Sequence, residues 1–399
     1  MLADIAAPPA GAALAPADLD RLLADLASIR DCTLECEAMI SDAGLRALPR
    51  IWHWSPLGWQ FGHVPCFEEQ FVLVCLKGDP TIDATYLERF MPATTPPPER
   101  VHLPPRADVL SYLHEVRRRS VAYFESAGPT GDVLFTLEML IEHEAMHLEH
   151  QLHMCTWLPP EELRRVPGPL PPGPAWHEPA GAPGMLEVAG GRVRIGGTPG
   201  RVWDNELPPC EVTLGDYFVD ALPVSNGAYL EFLESGAYAD RRWWSDPGWA
   251  WLEFTGALHP YYWRKAEDGW RQRMLCDEAP LQPAEPVMGL SWFEAEAYAQ
   301  FAGKRLLSEF EWEHAAKSLG RLPGAGYAWE WTGSWFKPYA GFEPGPYRRY
   351  SEPQFGEVYR VLKGGCWATL PAQGRPSFRN WYNPSLRQIF AGVRLGRDA

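Results

Sequence analysis

The fold of this chain is decided by the stretch Glu138-Met-Leu-Ile-Glu-His-Glu-Ala-Met-His-Leu-Glu-His-Gln-Leu-His153. No Pro or Gly falls between residues 132 and 157, and leucines recur along the segment, which predicts a helix. His143 and His147 lie four residues apart, so on a helix their rings leave the same face one turn apart. The sequence therefore predicts a helix that offers two imidazoles to one metal ion.

The same two histidines allow other interpretations. His143-Glu-Ala-Met-His147 fits the H-E-x-x-H pattern of zinc proteases, in which the glutamate acts as a general base. Because His150 and His153 extend the cluster, the segment also fits a histidine-rich helix face exposed to solvent. Spacing alone does not decide among these three interpretations.

A third histidine favours the metal site. Ser55-Pro56 predicts a helix start, and the apolar run behind it predicts a buried face. His63 lies in that run beside Trp59 and Phe67, where an unpaired polar ring is costly. Such a histidine either bonds to a backbone carbonyl in the core or binds a ligand. Next to a helix with two histidines, we favour a third metal ligand.

Charge and composition limit the partners. The net charge of −15 argues against nucleic acid or an anionic membrane as the main partner. No apolar run approaches the roughly 20 residues of a membrane span, and the N-terminus lacks a signal-peptide pattern. The eight cysteines form no C-x-x-C pair, which without a secretion signal favours reduced thiols. We expect a cytoplasmic protein that is a monomer or a small homo-oligomer.

Length and patterning predict two domains. Residues 1–15 are predicted to be a flexible leader, and residues 16–165 a four-helix bundle whose metal ligands point inward from facing helices. The predicted helices cover residues 16–46, 55–76, 108–126 and 132–157.

The composition changes after this helical domain. Residues 166–184 are rich in Pro and are predicted to be an extended linker. Residues 185–399 are predicted to be an α+β domain with short strands at 192–195, 210–214 and 217–220. Ser225 and Ser291 each precede a helical pattern and are predicted to cap it, the second with a capping box.

The C-terminal half carries motifs of a known family. They are Trp203-Asp-Asn-Glu206, Pro223-Val-Ser-Asn-Gly-Ala-Tyr229, Gly303-Lys-Arg-Leu-Leu-Ser-Glu-Phe-Glu-Trp-Glu313, Ala328-Trp-Glu-Trp-Thr332, Val361-Leu-Lys-Gly-Gly365 and Arg387-Gln-Ile-Phe-Ala-Gly-Val-Arg394. In this order they resemble the formylglycine-generating-enzyme family, which implies a C-type-lectin-like fold for residues 185–399. Those enzymes use a cysteine pair near the Gly-Gly segment, and Cys366 has no second Cys after it. We therefore expect Cys366 to be a small buried residue and do not expect sulfatase activation.

The N-terminal half resembles the DinB-type four-helix domain. The two domains together resemble the ergothioneine-biosynthesis sulfoxide synthases, iron(II) enzymes that use O₂ to join a sulfur donor to carbon 2 of hercynine's imidazole. The resemblance implies that His63, His143 and His147 hold the iron. Three neutral imidazoles leave positions open for substrate and O₂. Neighbouring carboxylates are candidates to orient the histidines, namely Glu142, Glu144 and Glu149.

The resemblance also implies where hercynine binds. Residues 378–384 match the segment that binds the trimethylammonium-bearing betaine in the family. Asn380 would offer its amide to the carboxylate, and Trp381 would hold the quaternary ammonium by cation–π attraction, worth roughly 0.5–2 kcal/mol per contact. Further candidate substrate contacts are Arg379, Tyr382 and Met146.

Two more expectations come from the resemblance. A tyrosine near the iron should deliver a proton or an electron during bond formation, and the candidates are Tyr347 and Tyr350. Calcium in the C-terminal domain is left open.

Departures from the family bear on the donor that supplies the sulfur. Met146 stands where the family commonly has Gln, and Tyr382 where the mycobacterial-type relatives have Asp. Residues 93–100, Ala-Thr-Thr-Pro-Pro-Pro-Glu-Arg, replace an arginine-bearing stretch that grips the carboxylates of γ-glutamylcysteine. Arg is suited to carboxylates and Pro offers no hydrogen-bond donor, although Arg100 and Arg106 remain nearby and are the candidate residues for binding the sulfur or selenium donor. The chain thus fits the selenium-using branch of the family, the selenoneine synthases, which take a neutral selenosugar.

Three classes of function are compatible with these residues. The first is an iron- and O₂-dependent enzyme that forms a carbon–selenium bond, or alternatively a carbon–sulfur bond, on hercynine. The second is a zinc hydrolase that uses His143, Glu144 and His147. The third is a binding module without catalysis. Bound iron, bound zinc or no metal would separate the three.

Overall fold

The computed structural model describes residues 16–48, 54–168, 170, 175–177, 184–199, 202–370 and 373–399. The chain divides into a helical unit, Pro8–Pro172 with Leu275–Asp277, and a mixed unit, Gly173–Met274 with Glu278–Ala399. The predicted leader at 1–15 and most of the predicted linker at 166–184 lie outside the described residues. The predicted domain borders therefore stay predictions.

The described residues of the helical unit form six α-helices. They are α1 (Pro16–Met39), α2 (Asp42–Arg46), α3 (Leu57–Glu68), α4 (Ala84–Phe90), α5 (Arg106–Ala127) and α6 (Gly131–Cys155). The two helices predicted at 108–126 and 132–157 are confirmed as α5 and α6. The helix predicted at 16–46 is divided, because the Ser41 side chain accepts a hydrogen bond from the Gly44 N–H and starts a new helix there.

The helix predicted at 55–76 changes its geometry along its length. It is α-helical as α3, with Pro65 inside it, and continues as a π-helical segment over Glu69–Leu76. Pro lacks the N–H that would bond to the preceding turn, and a π-helical segment is an uncommon geometry that is often found at functional sites. The sequence analysis assigned no helix to α4, which Asp83 caps by accepting the Thr85 N–H.

The core of the helical unit lies between the long helices. Leucines that are entirely inaccessible to solvent come from α1, α5 and α6, namely Leu26, Leu113, Leu137 and Leu152. Helix α1 packs against α6, and α3 packs against both α5 and α6. This unit is helical as predicted, and its likeness to the DinB domain stays a prediction. Within the described part of the chain, no helix combines the length and the apolar character that crossing a membrane requires.

The mixed unit has thirteen short strands among the described residues. They are β1 (Met185–Val188), β2 (Gly191–Ile195), β3 (Cys210–Leu214), β4 (Tyr217–Asp220), β5 (Trp263–Ala266), β6 (Gly269–Met274), β7 (Asp277–Pro280), β8 (Arg305–Leu306), β9 (Trp329–Trp335), β10 (Arg360–Lys363), β11 (Asn380–Tyr382), β12 (Ala391–Gly392) and β13 (Leu395–Asp398). They form two four-stranded sheets, in the orders β1-β4-β13-β8 and β11-β10-β9-β12, a three-stranded sheet β5-β6-β7 and the pair β2-β3. The three strands predicted from the sequence are confirmed as β2, β3 and β4.

In the described part of this unit, four α-helices accompany the sheets. They are α7 (Asn226–Glu234), α8 (Asp246–Thr255), α9 (Trp292–Phe301) and α10 (Glu309–Ser318). Both predicted caps are confirmed, because Ser225 accepts from Ala228 N–H and Ser291 forms a capping box with Glu294. Helix α10 packs against the first sheet in a core of Val188, Tyr217, Val219, Leu307, Trp312, Ala315, Ala316 and Leu322.

Strand β11 carries three of the predicted substrate residues. It pairs antiparallel with β10, with Asn380 opposite Leu362 and Tyr382 opposite Arg360. Because successive side chains on a strand point to opposite faces, Asn380 and Tyr382 share one face of this sheet and Trp381 lies on the other. The fold thus splits the predicted substrate set.

Candidate functional site

Two helices of the helical unit bring three histidines together. His63 comes from α3, and His143 and His147 come from α6. One ligand atom from each lies within 4.8 Å of the others. Across the described ranges, this is the one group of three or more His, Cys, Asp or Glu close enough to share an ion. The ring centroid of His63 lies 5.2 Å from that of His143 and 4.8 Å from that of His147.

The orientation of His63 is fixed by a backbone group. Its Nδ1 lies 2.7 Å from the carbonyl oxygen of Phe90, at the end of α4. Because a carbonyl only accepts, Nδ1 must carry the hydrogen, which leaves Nε2 with a free lone pair. The indole of Trp59 stacks on the imidazole, with centroids 5.0 Å apart and planes 11° apart. Of the two alternatives for His63, the structure therefore shows a bond to a carbonyl together with a nitrogen still available as a ligand.

The two histidines of α6 are also confined. The ring of Phe67 stacks on His143 at 3.6 Å and 8°. Among the described residues, the buried Nδ1 of His147 has no hydrogen-bond partner. A buried unpaired nitrogen costs free energy, so His147 is suited to a ligand that would satisfy it.

Burial keeps the three rings neutral. It lowers the pKa of His63 to about 4, with a further lowering from Arg100 and an opposing effect of the Phe90 hydrogen bond. Burial also lowers the pKa of His143 and of His147 well below the usual value, and the neighbouring histidines add to this. Metal ions bind the neutral form of imidazole. The residues present therefore fit a metal ion held by three nitrogens.

The solvent-exposed alternative for this helix face is wrong. His143 is 3% exposed and His153 is completely buried. The rings of His150 and Trp54 lie 5.0 Å apart, so an aromatic side chain packs on this end of the cluster as well.

Glu144, the glutamate of the H-E-x-x-H pattern, does not serve as a base beside the histidines. Its carboxylate accepts from Arg30 Nε at 2.7 Å and from Arg117 Nη2 at 2.7 Å. Burial acts to raise the pKa of Glu144, and the two arginines more than offset it, leaving a pKa of about 2. Such a carboxylate is a poor proton acceptor at neutral pH. Because Arg30 and Arg117 occupy both carboxylate oxygens, Glu144 makes no direct orienting hydrogen bond to the histidines, which corrects that expectation. Such a bond from Glu142 or Glu149, both buried, stays a prediction.

Gly62 keeps space for the Phe90 ring next to His63. A Cβ at position 62 would overlap that ring. We expect Gly62→Ala to push α4 away from α3, to destabilise the protein by about 1–3 kcal/mol and to weaken metal binding. Thermal unfolding and metal titration measure both effects.

The double variant Gly62→Ala/Phe90→Leu serves as the control for this prediction. It keeps the backbone carbonyl and removes part of the ring, so metal affinity should recover. An unchanged affinity in the single variant would contradict the role assigned to the Phe90 carbonyl.

The predicted donor arginines already have partners. Arg106 binds Glu37 with a shortest distance of 2.6 Å and Asp42 at 3.1 Å, which ties α5 to α1 and α2. Arg100 donates to the Thr95 carbonyl and to Ser55 Oγ, both at 2.9 Å. It also lies over the Trp59 ring, 4.5 Å from the centroid. In the described part of the chain, no carboxylate pairs with Arg100, so it is the stronger of the two candidates.

Trp381 in the mixed unit belongs to an aromatic cluster. Its ring stacks on Phe336 at 4.2 Å and 10° and meets the edge of Tyr350 at 5.1 Å. Tyr350 in turn stacks on Trp203 at 3.9 Å. The cluster brings Trp381 together with one candidate tyrosine, and the second, Tyr347, lies 6.2 Å from Tyr350. Burial raises the pKa of Tyr347 to about 12, so its hydroxyl keeps its proton at neutral pH.

Arg379 is a core residue, which corrects its prediction as a substrate contact. It is 1% exposed and pairs with both carboxylate oxygens of Glu309, at 2.7 and 3.0 Å. Its remaining hydrogen bonds go to the carbonyls of Asn205 and Lys337. The guanidinium therefore stabilises the packing below β11 and has no access to a ligand.

The other predicted residues are placed but not brought into one group. Asn380 is half-buried and its Oδ1 accepts from the Trp381 N–H at 2.8 Å, while Tyr382 is buried. Met146 is half-buried on α6, one residue before His147. Cys366 is 2% exposed, as expected for a small buried residue. The calcium expectation gains no support from the acidic residues described.

Sequence reasoning missed the residues that orient the others. Phe90 acts through its backbone, so its side chain gives no signal, although Asp83 as a cap could have revealed α4. Trp203 stands in a motif of the family, but its contact with Tyr350 joins residues far apart in the chain.

Comparison with known proteins places this geometry in a family. Residues 174–324 and 318–399 match the sulfatase-modifying factor enzyme 1-like domain. The formylglycine-generating enzyme of Thermomonospora curvata is 35% identical to this chain, over 37% of this chain and 52% of its own length. The chain thus has a C-terminal domain of the formylglycine-generating-enzyme class, as predicted.

Two relatives match both halves of the chain. The hercynine oxygenase of Mycolicibacterium smegmatis is 34% identical over 86% of this chain and 91% of its own. The hercynine oxygenase of Mycobacterium tuberculosis is also 34% identical, with the same coverage. The chain belongs to the hercynine oxygenase family.

Proposed function

We propose that this protein is a non-haem iron(II) enzyme that uses O₂ to join a selenosugar to carbon 2 of the hercynine imidazole, forming a carbon–selenium bond. The observation that carries the proposal is the group of three neutral imidazoles within 4.8 Å, in a chain 34% identical to hercynine oxygenases over most of its length. The alternative donor is γ-glutamylcysteine or cysteine, which would make the product a carbon–sulfur compound.

The three histidines would hold the iron. Iron(II) bound by three imidazoles would supply the activation of O₂ and open positions for a soft selenium or sulfur donor. The Phe90 carbonyl keeps the His63 hydrogen on Nδ1, so Nε2 stays available as a ligand. The stacked rings of Trp59 and Phe67 exclude water from two of the imidazoles.

Hercynine would be held by the face of an aromatic ring. Trp381 is half-buried and stabilised by stacking on Phe336, which leaves it suited to a quaternary ammonium. Asn380 is the candidate for the carboxylate. Tyr347 and Tyr350 both remain candidates for the proton or electron donor, and because burial raises its pKa, Tyr347 would carry a transferable proton.

The competing functions are less well supported. A zinc hydrolase of the H-E-x-x-H kind needs a free glutamate, and two arginines bind Glu144. A binding module without catalysis does not account for three neutral histidines around one point, two of them buried and one half-buried. The cytoplasmic location remains an expectation.

The experiment that tests the proposal uses the full chain loaded anaerobically with iron(II). Hercynine and O₂ are added with a selenosugar, γ-glutamylcysteine or cysteine, and the products are identified by mass. We expect a hercynine–chalcogen product that needs iron, O₂ and hercynine. The absence of any product from the full chain with all three donors would contradict the proposed function.

A further inference from the structure

We propose that four buried charged residues, one from each long helix, act as positioning residues that set the register of the three-histidine site. They are Arg30 on α1, Glu68 on α3, Arg117 on α5 and Glu144 on α6. We call this group the ionic quartet. The inference rests on the proposed metal site and concerns residues outside the ligand set.

The ionic quartet is a closed ring of hydrogen bonds. Arg30 donates to Glu144 Oε1 at 2.7 Å and to Glu68 Oε2 at 3.0 Å. Arg117 donates to Glu68 Oε1 at 2.9 Å and to Glu144 Oε2 at 2.7 Å. Both oxygens of each carboxylate are therefore occupied. Two positive and two negative charges balance, so burial leaves no net charge.

The quartet is deeply buried. The side chains of Arg30, Glu68 and Glu144 are 5%, 2% and 3% exposed, and that of Arg117 is 12% exposed. The remaining donors reach backbone carbonyls, because Arg30 Nη1 lies 3.0 Å from the Leu113 oxygen and Arg117 Nη1 2.5 Å from the Leu26 oxygen. These contacts tie α1 to α5 directly.

Stability alone does not account for this arrangement. Well-packed apolar side chains in place of a buried ion-pair group are often as stabilising or more so. Apolar burial is non-directional, however, and tolerates sliding of one helix along another. Fork-shaped guanidinium groups that each engage two carboxylates fix both the distance and the axial position of their helices.

The two carboxylates sit next to the metal ligands in the chain. Glu144 follows His143, a rise of about 1.5 Å along α6, and Glu68 lies five residues after His63, a rise of about 7.5 Å along α3. A slip of one helical turn would displace His63 from the α6 histidines by about 5.4 Å. That exceeds the 4.8 Å within which the ligand atoms lie. The directional bonds between Glu68, Glu144 and the two arginines prevent such a slip.

The test compares metal affinity with folding stability in the full chain. Glu144→Gln removes one charge of the quartet and keeps the shape. Tyr112→Phe is the matched control, because it removes a buried hydrogen bond to Glu69 in the same unit but leaves the quartet intact. Both variants are freed of metal, their thermal unfolding is measured, and they are titrated with cobalt(II) without oxygen while the visible absorption bands are recorded.

We expect the Kd for cobalt(II) to rise roughly 10–100-fold in Glu144→Gln, with shifted absorption bands, as when groups that support metal ligands are removed. Tyr112→Phe should lower the unfolding temperature and leave the Kd and the bands unchanged. Arg117→Lys keeps the positive charge but loses the planar guanidinium that engages two carboxylates, so it should show a smaller rise in Kd. If Glu144→Gln does not fold, Arg117→Lys serves as the test variant instead. Wild-type Kd and bands in a folded Arg117→Lys or Glu144→Gln protein would overturn the inference.

A third variant separates this inference from the proposed metal site. His63→Ala, titrated in the same way, should lose cobalt(II) binding. If it binds like the wild type, the three-histidine site itself is wrong, and the quartet then has no site to position. If it loses binding while both quartet variants bind normally, only the positioning role is overturned.

Discussion

Replacing His63 by Ala should remove most of the bound iron and nearly all turnover. The chain offers three histidine nitrogens within 4.8 Å, and two imidazoles on one helix cannot hold the ion as firmly as three from facing helices. Loss of a supporting partner alone costs about 10–100-fold in affinity or activity, so the loss of a ligand should cost at least roughly 100-fold. Iron content after anaerobic loading and kcat with hercynine measure the effect.

The matched control is His114→Ala. His114 is an exposed histidine on α5 of the same helical unit, and its removal leaves the buried cluster untouched. It should keep iron and turnover at the wild-type level. Full iron occupancy and activity in His63→Ala would show that the three-ligand site is wrong.

A selenosugar should be a better donor than γ-glutamylcysteine by roughly 100-fold in kcat/KM. A carboxylate that is buried without a cationic partner loses its hydration and gains no interaction in return. Each lost contact worth about 1.4 kcal/mol lowers the affinity about tenfold. The loop at residues 93–100 uses its own polar groups internally. The Thr95 hydroxyl oxygen lies 2.8 Å from the carbonyl oxygens of both Glu88 and Arg89, which share its one hydrogen, and Arg100 donates to the Thr95 carbonyl and to Ser55 Oγ.

Competition between the two donors in one reaction measures this preference directly. The variant Arg100→Met provides a second measurement. If Arg100 is the remaining contact to the carboxylates, this variant should lower kcat/KM for γ-glutamylcysteine more than for the selenosugar. A higher kcat/KM for the dipeptide in the wild type would contradict this prediction. It would indicate that the protein forms a carbon–sulfur bond and that Arg100 binds the carboxylates of the dipeptide.

The sequence predicted those features of the structure that depend on residues close together in the chain. The four-residue spacing of His143 and His147, the caps at Ser225 and Ser291 and the extents of α5 and α6 depend on neighbours in the chain. His63 could be placed because a polar ring in an apolar run needs a partner.

The parts that sequence did not predict depend on distant partners. Helix α4 has seven residues and one fully buried side chain, so it shows little apolar periodicity. The sequence cannot show that Arg379 forms an ion pair with Glu309, because the two residues lie in separate elements. The same holds for the ion pairs of Glu144 with Arg30 and Arg117. An arginine or glutamate inside a functional motif can therefore form an ion pair within the protein instead of contacting a ligand.

The Phe90 carbonyl links two properties that would otherwise be engineered separately. Residues 91–105 follow it directly and contain the segment on which donor choice is expected to depend. We expect that exchanging this loop for one with arginines would move the end of α4, and with it the oxygen 2.7 Å from His63 Nδ1. Grafts that aim to change the donor should therefore also alter the three-histidine site unless residues 84–90 are kept in place, so the length of the loop constrains such designs as strongly as its chemistry.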